Sequence, residues 1–330
     1  MGAPDDNESW IYHPVPDGTR DVLPEEMGEL RELENRLLAS FGEGGYREVA
    51  TPVLEYEHIL AHGPVSTTNP AYKLLDENGE ALVLRSDMTL PIARLIASRF
   101  AAEEPPFRLC YATEIYRRVT PGRGHPRQMR HAGVELIGVP APEGTAEVLT
   151  VLTRALDAAG LDEYAIVLGD ARFYGRLLGG LGVGDGDQRR LYEFLERRDF
   201  VGLEAAVAEL GLSADDAELA VSVPRLRGGP ELLDGAPGPL ADAIEKLRAV
   251  HEAVDPGVAG RVIFDLGAVS ELGYYTGAVL QVLHRGSGTP IGGGGRYDSL
   301  LERFGRPLPA VGFSVDLTVL HSMLVGQAPA

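Results

Sequence analysis

The 330-residue sequence is poor in positive charge, with 30 Lys and Arg against 49 Asp and Glu, and it holds one cysteine and one tryptophan. The resulting formal charge of −19 argues against a nucleic-acid surface, which relies on Lys and Arg to neutralise phosphates. The lone Cys110 cannot close an internal disulfide and suits a reducing compartment. Inside the apolar run FRLCYA it reads as a buried strand residue rather than a nucleophile, since no acid–base partner is evident nearby. No apolar run approaches the roughly 20 residues that span a bilayer. The start, MGAPDDNESW, is acidic and polar, unlike a secretory signal, and lacks the Ser/Thr of a myristoylation site. It reads as a frayed arm, and the protein as cytoplasmic. The eight histidines show no HExxH or clustered metal spacing, and no GxSxG occurs. Neither a metal site nor a cofactor is expected.

The basic charge that is present gathers once. RRVTPGRGHPRQMRH, starting at Arg117, carries five arginines. Such a loop on an acidic body suits a small anionic ligand or an acidic protein patch; it is also compatible with a solvated loop. His125 and His131 within it read more readily as satisfied structural residues than as ligands.

Periodicity predicts a helix from Pro24 to Phe41, with Leu30, Leu33, Leu37, Leu38 and Phe41 on one face and Gly42 as its stop. YREVATPVLEY reads as an edge segment because Pro52 cannot donate to a central ladder. ALVLRSDMTLPIARLIASRF reads as a strand, a turn at Ser86-Asp87 and a helix from about Thr89. PPFRLCYATEIYRR and QMRHAGVELIGV read as an antiparallel pair joined by TPGRGHP. TAEVLTVLTRALDAAG reads as a helix capped by Thr145 and stopped by Gly160, and YAIVLGD as a buried strand. A helical stretch from about 171 to 255 interrupts this strand-rich body. Strands resume at RVIFDLG, GAVLQVL and AVGFSV before a last helix, DLTVLHSMLV. The pattern implies an α+β fold with a mixed, mostly antiparallel sheet; the regular alternation of a doubly wound fold does not occur.

Three constellations carry possible chemistry. In IGGGGRYD (291–298), four glycines permit a tight turn or close approach of the backbone to a ligand or another strand; the context of a dinucleotide fingerprint is missing. Arg117 and Glu135, on paired strands, could face one side of the sheet and hold the two ends of a zwitterion, or simply pair with each other. Asp87 and Thr89, at a strand-to-helix turn, could accept from an ammonium group or merely cap the helix.

Taken in order, these stretches resemble the catalytic core of the class II aminoacyl-tRNA synthetases, specifically the histidyl enzyme, over roughly 16 to 324. PDGTRDVLP resembles the family's opening, YREVATPVLEY its dimer-forming motif 1, and YRRVTPGRGHPRQMRHAGVELIG its motif 2. ELGYYTG and GGGGRYDSLL resemble the histidine-specific signatures, and AVGFSVDLTVL motif 3. The resemblance implies an amino-acid pocket in which Asp87 and Thr89 meet the α-ammonium and Glu135, Tyr274 and Tyr275 line the imidazole side. His131 replaces a glutamine on the motif 2 return strand, and Arg117 matches the motif 2 arginine.

Departures from that pattern bear on function. Ser270-Glu271-Leu272-Gly273 stands where the synthetase has Arg-Gly-Leu-Asp, Thr318-Val319 where motif 3 has Glu-Arg, and Val119 where motif 2 has an acid. Adenylation puts charge on a phosphate in flight, and loss of one preorganised stabilising group costs about two to three decades in rate. Ligation is therefore expected to be lost. The implied organisation is a flexible arm (1–15), a first core part (16–170), a helical insertion (171–258), a second core part (259–325) and no anticodon-binding domain. A histidyl-synthetase body without ligation residues is similar to the regulatory subunits of ATP phosphoribosyltransferase. That resemblance implies a short-form catalytic subunit as partner in a hetero-octamer, self-association as a dimer, histidine as ligand, and neither tRNA nor membrane. A divergent histidine-activating ligase acting without tRNA and a free-standing histidine sensor are the alternatives.

Overall fold

The computed structural model describes residues 15–60, 71–118, 126–234, 240–269 and 273–326. The N-terminal arm up to residue 14, the loop 119–125 with Val119 and His125, and Ser270, Glu271 and Leu272 lie outside the described residues. Helix α1 (Pro24–Glu43) opens with proline and two acids in its first turn, which suits the missing donor and the helix dipole. It runs through Gly42 rather than stopping there. The left-handed residue that reverses the chain is Gly45 (φ 82°), while the Gly45 and Tyr46 amides donate to the carbonyls of Gly42 and Phe41.

The segment 46–56 forms two edges, not one. Strand β1 (Arg47–Glu48) pairs in parallel with β5 (Phe107–Tyr116), whereas β2 (Leu54–Tyr56) belongs to a small sheet. That sheet has the order β2-β4-β3, with β3 at Lys73–Leu75 and β4 at Ala81–Leu84. The short α2 (Glu57–Leu60) follows β2, and α3 (Thr89–Arg99) follows β4. The principal sheet is completed by β6 (Gln128–Ile137), β7 (Tyr164–Asp170), β8 (Arg227–Gly228), β9 (Val262–Asp265), β10 (Ala278–His284), β11 (Gly292–Arg296) and β12 (Ala310–Asp316). Its nine strands lie in the order β1-β5-β6-β12-β11-β10-β7-β9-β8. Only the β1–β5 and β7–β9 pairs are parallel.

The glycine run is a strand and not a turn. Gly292–Gly295 lie between β10 and β12, so closely that a Cβ on Gly294 would sit 2.6 Å from the Phe313 Cα and one on Gly293 would sit 3.1 Å from the Leu280 carbonyl oxygen. Helix α4 (Glu143–Ala159) begins before Thr145, which is buried inside its first turn and accepts from Arg296 Nε at 3.1 Å instead of capping. Gly160 (φ 86°) ends it as expected.

Residues 171–258 contain α5 (Phe173–Gly180), α6 (Asp185–Glu196), α7 (Phe200–Ala208), α8 (Ala214–Ser222) and α9 (Ala241–Ala253), and they also supply β8. The short α10 (Pro256–Ala259) leads into β9, and α11 (Leu317–Leu324) closes the described chain. Leu30, Leu33, Leu37 and Phe41 of α1 are buried against α4 and the sheet; Phe41 meets Phe313 edge-on at 5.8 Å. Such burial stabilises by roughly 1.5–3 kcal/mol per large side chain. Among the described residues, no helix is long and apolar enough to cross a membrane.

Candidate ligand pocket

The β4–α3 connection presents Asp87 and Thr89. It is held by the buried Arg85, whose Nε donates to the Glu114 carbonyl (2.9 Å) and whose Nη1 donates to that of Thr51 (2.7 Å). On the same helix, Arg94 forks onto buried Glu55 at 2.8 and 2.7 Å, fixing α3 to β2. Asp87 Oδ1 accepts from the Leu90 amide at 3.2 Å, so it caps the helix while its carboxylate also lines the cavity.

A cavity of about 780 Å³ runs over the principal sheet. Every side chain expected in the amino-acid site lines it: Asp87, Thr89 and Arg117, His131 and Glu135, Tyr274 and Tyr275. Arg117 and Glu135 do not pair with each other. Arg117 Nε donates to the Ser86 carbonyl at 3.1 Å. Glu135 accepts from the Thr89 hydroxyl at 2.8 Å and from the Tyr297 hydroxyl. Tyr274 stands edge-on to both Tyr275 (5.0 Å) and Tyr297 (5.9 Å), forming an aromatic wall.

Tyr297, Tyr111 and Asp316 join the site without having been singled out in the sequence. Tyr297 follows the glycine run within a stretch already marked as unusual. Its neighbour Arg296 turns away to Thr145, Asp298 and the Val139 carbonyl, and so is structural. Asp316 ends β12 and caps α11 through the amides of Thr318 and Val319. Tyr111 is buried opposite Gly133, where a Cβ would come 2.7 Å from its hydroxyl. Glycine is required at two further points. A Cβ on Gly312 would fall on the Glu135 carboxylate, and one on Gly295 would sit 3.0 Å from the Tyr275 ring. The pocket is thus carved partly by omitted side chains.

Burial sets the electrostatics. It pushes Glu135 up to about 8, against the opposing effect of its two hydroxyl donors. Asp87 is raised by burial, which outweighs the Leu90 amide and Arg117; Asp316 is raised by burial too. Burial, then Arg117, lowers His131 to about 3, so its ring is neutral. Its 3.8 Å approach to Asp316 is a polar contact and not an ion pair. Burial raises Tyr274, Tyr275 and Tyr297, which remain phenols at neutral pH. Acids crowd this end, with Arg117 beside Asp87, His131 and Asp316. Such a site favours a ligand that brings a cationic group and a ring able to hydrogen-bond. Among the described residues, no cluster of His, Cys, Asp and Glu suits a metal ion.

The strand order, the glycine-carved pocket and the paired tyrosines define a histidyl-type class II synthetase body. The histidyl-tRNA synthetase family model matches residues 18–320. A crystal structure from Bacillus halodurans C, described as an ATP phosphoribosyltransferase regulatory subunit/histidyl-tRNA synthetase, superposes with a TM-score of 0.87 at 33% identity, covering 94% of this chain and 83% of that one. Histidyl-tRNA synthetase from Nostoc sp. PCC 7120, at 20% identity and a TM-score of 0.80 over 96% of this chain and 76% of that one, shares the fold. Two curated relatives carry the name ATP phosphoribosyltransferase regulatory subunit. The protein of Rubrobacter xylanophilus is 40% identical over 95% of this chain and 77% of its own length, and that of Desulforamulus reducens 38% over 91% and 76%. The chain belongs to the family of ATP phosphoribosyltransferase regulatory subunits.

Proposed function

We propose that this chain is the non-catalytic regulatory subunit of a short-form ATP phosphoribosyltransferase, the enzyme of the first step of histidine biosynthesis. It binds and activates the catalytic subunit in a hetero-octamer, and histidine in the pocket favours the inactive assembly. The observation that carries this reading is the pocket's imbalance. Its hydroxyls and carboxylates are suited to an amino acid, while among the described residues Arg117 is the one arginine beside them. Stabilising a phosphoryl transition state calls for several preorganised cations. Coupling then needs only a difference in partner affinity between histidine-bound and histidine-free chains, and it is reciprocal.

Self-association has support in the small sheet, where Leu54 and Tyr56 on one outer strand and Leu74 and Leu75 on the other are 44–74% exposed. Apolar patches of this kind mark association surfaces. The test is co-purification with a short phosphoribosyltransferase, followed by its activity with and without this chain and with added histidine. Activation by this chain, reversed by histidine, is the expected result. Histidine-dependent ATP–pyrophosphate exchange by this chain alone would instead favour a divergent ligase and overturn the proposal.

A further inference from the structure

The cavity is far longer than an amino acid. Its walls include His131 on β6, Gly293 on β11, Gln281 on β10, Val167 on β7, Asp265 on β9 and Arg227 on β8. From β6 to β8 the sheet order counts six interstrand steps. At about 4.8 Å each, these span roughly 29 Å before twist is considered. The middle of the floor is the glycine strand, whose residues raise no side chains into the path. The far end lies under residues 195–227, which contribute Leu195, Phe200 and Pro224 as apolar wall.

Charge is graded along this groove. Asp87, Glu135 and Asp316 occupy one end with Arg117. At the other end, Arg227 is paired with Asp265 at 2.6 Å, whereas the exposed Arg198 side chain makes no hydrogen bond or ion pair among the described residues. Arg198 is also held left-handed (φ 53°) just past α6, a position where glycine or asparagine is the easier choice. An unpaired arginine in a conformation that disfavours it stands on the groove wall.

An extended peptide's amino terminus would use more of this groove than a free amino acid does. The ammonium of either fits the acid end, but a free carboxylate there would sit beside the buried Asp87 and Asp316, with Arg117 as the cation beside them among the described residues. Converting that carboxylate to an amide removes the repulsion and lets the chain continue over the glycine floor. At about 3.3 Å per residue, some nine extended residues reach the far end. We infer that the groove binds the amino terminus of an extended peptide, its first residue in the acid end and an acidic side chain or terminus at Arg198. The inference rests on the proposed reading of the acid end as the receptor for the α-amino group and ring of histidine.

Calorimetry on the intact chain with four probes tests it: histidine, histidinamide, the nine-residue peptide His-Gly-Gly-Gly-Gly-Gly-Gly-Gly-Glu and its N-acetylated form. Histidinamide is expected to bind about fivefold or more tightly than histidine, because one buried like charge is removed. The peptide should bind more tightly again, and acetylation should abolish binding. Arg198→Gly, which relieves the backbone, should keep the melting temperature and bring the peptide back to the affinity of histidinamide. Histidine binding more tightly than histidinamide, or a peptide weaker than histidinamide, overturns the inference and leaves the histidine pocket standing. Peptide binding without histidine binding supports the groove and removes the histidine reading. Silence from all four probes removes both.

Discussion

Strand β12 and the helix α11 that follows it are very different. At Gly312 the backbone gives up its side chain so that the Glu135 carboxylate can lie over it, and that carboxylate in turn holds the hydroxyls of Thr89 and Tyr297. A few residues on, where the resembling synthetase motif carries a phosphate-gripping arginine, Val319 packs against the core. The difference is one of mutual dependence. Removing Glu135 would strand two hydroxyls inside the protein, at a cost of about 1–3 kcal/mol for each unsatisfied buried group. An arginine that reached only for a ligand has no such partner, and its replacement by valine adds apolar packing. A pocket of this shape can therefore be held as part of the fold without the cations that phosphoryl chemistry calls for.

The largest effect should come from refilling the carved space. Gly312→Ala would drive a methyl group onto Glu135 and to 2.5 Å from the Val134 carbonyl oxygen, neither of which can retreat. Overpacking of this kind costs about 1–3 kcal/mol. A melting temperature several degrees lower and the loss of histidine binding by calorimetry are expected; an unchanged protein would mean that the glycine is incidental. Next is Tyr275→Ala. It removes one ring of the aromatic wall while Tyr274 and Tyr297 keep their contact at 5.9 Å, so the fold should hold. Histidine affinity should fall by about tenfold, the loss of one good aromatic contact. Equal affinity would move the site elsewhere.

Much of this end of the cavity was legible in the sequence, because its residues fall at strand–turn–helix junctions and on alternating strand positions. Asp87, Thr89 and Glu135 line one cavity; the pattern offered them as two separate constellations, and only the resemblance implied a shared pocket. The glycine run was harder to place, since four residues without side chains carry no period and fit a turn as well as a strand. Only the neighbouring backbones of β10 and β12 decide it. Tyr297 stayed hidden for the same reason, its direction depending on a strand that could not be read. Gly42 and Thr145 misled because glycine and threonine near a helix end fit several positions equally well, and the chain used Gly45 and a buried bond to Arg296 instead.

A smaller effect separates the two titrating groups of the pocket. Glu135, raised from 4.5 to about 8 in the fold, binds its proton more tightly folded than unfolded. Its contribution is therefore complete below about pH 4.5 and declines as the pH rises towards 8. His131, lowered from 6.5 to about 3, works in reverse, so stability declines as the pH falls from 6.5 towards 3. Denaturant melts across pH should show Glu135→Gln losing less stability than the parent chain between pH 5 and 8. They should show His131→Gln losing less between pH 6 and 4. Parallel curves for all three proteins would mean that neither group is desolvated as the cavity implies.

The smallest expected effect tests the α11 side of this comparison. Returning arginines at both departures, as Ser270→Arg with Val319→Arg, should leave histidine-dependent ATP–pyrophosphate exchange at background. Position 319 is held in the first turn of α11, its amide donating to Asp316 Oδ1 at 3.3 Å and its side chain packed on the core. It does not line the cavity. An arginine there would first have to leave that packing and then aim past Asp316, a carboxylate already beside the pocket and the readier partner for it. Val119 still stands where the synthetase motif has its acid. Preorganisation, and not the mere presence of positive charge, is what lowers the barrier to phosphoryl chemistry. Exchange above background in the double variant would show that two side chains are all that separate the pocket from catalysis, and that the division between β12 and α11 is shallower than their packing indicates.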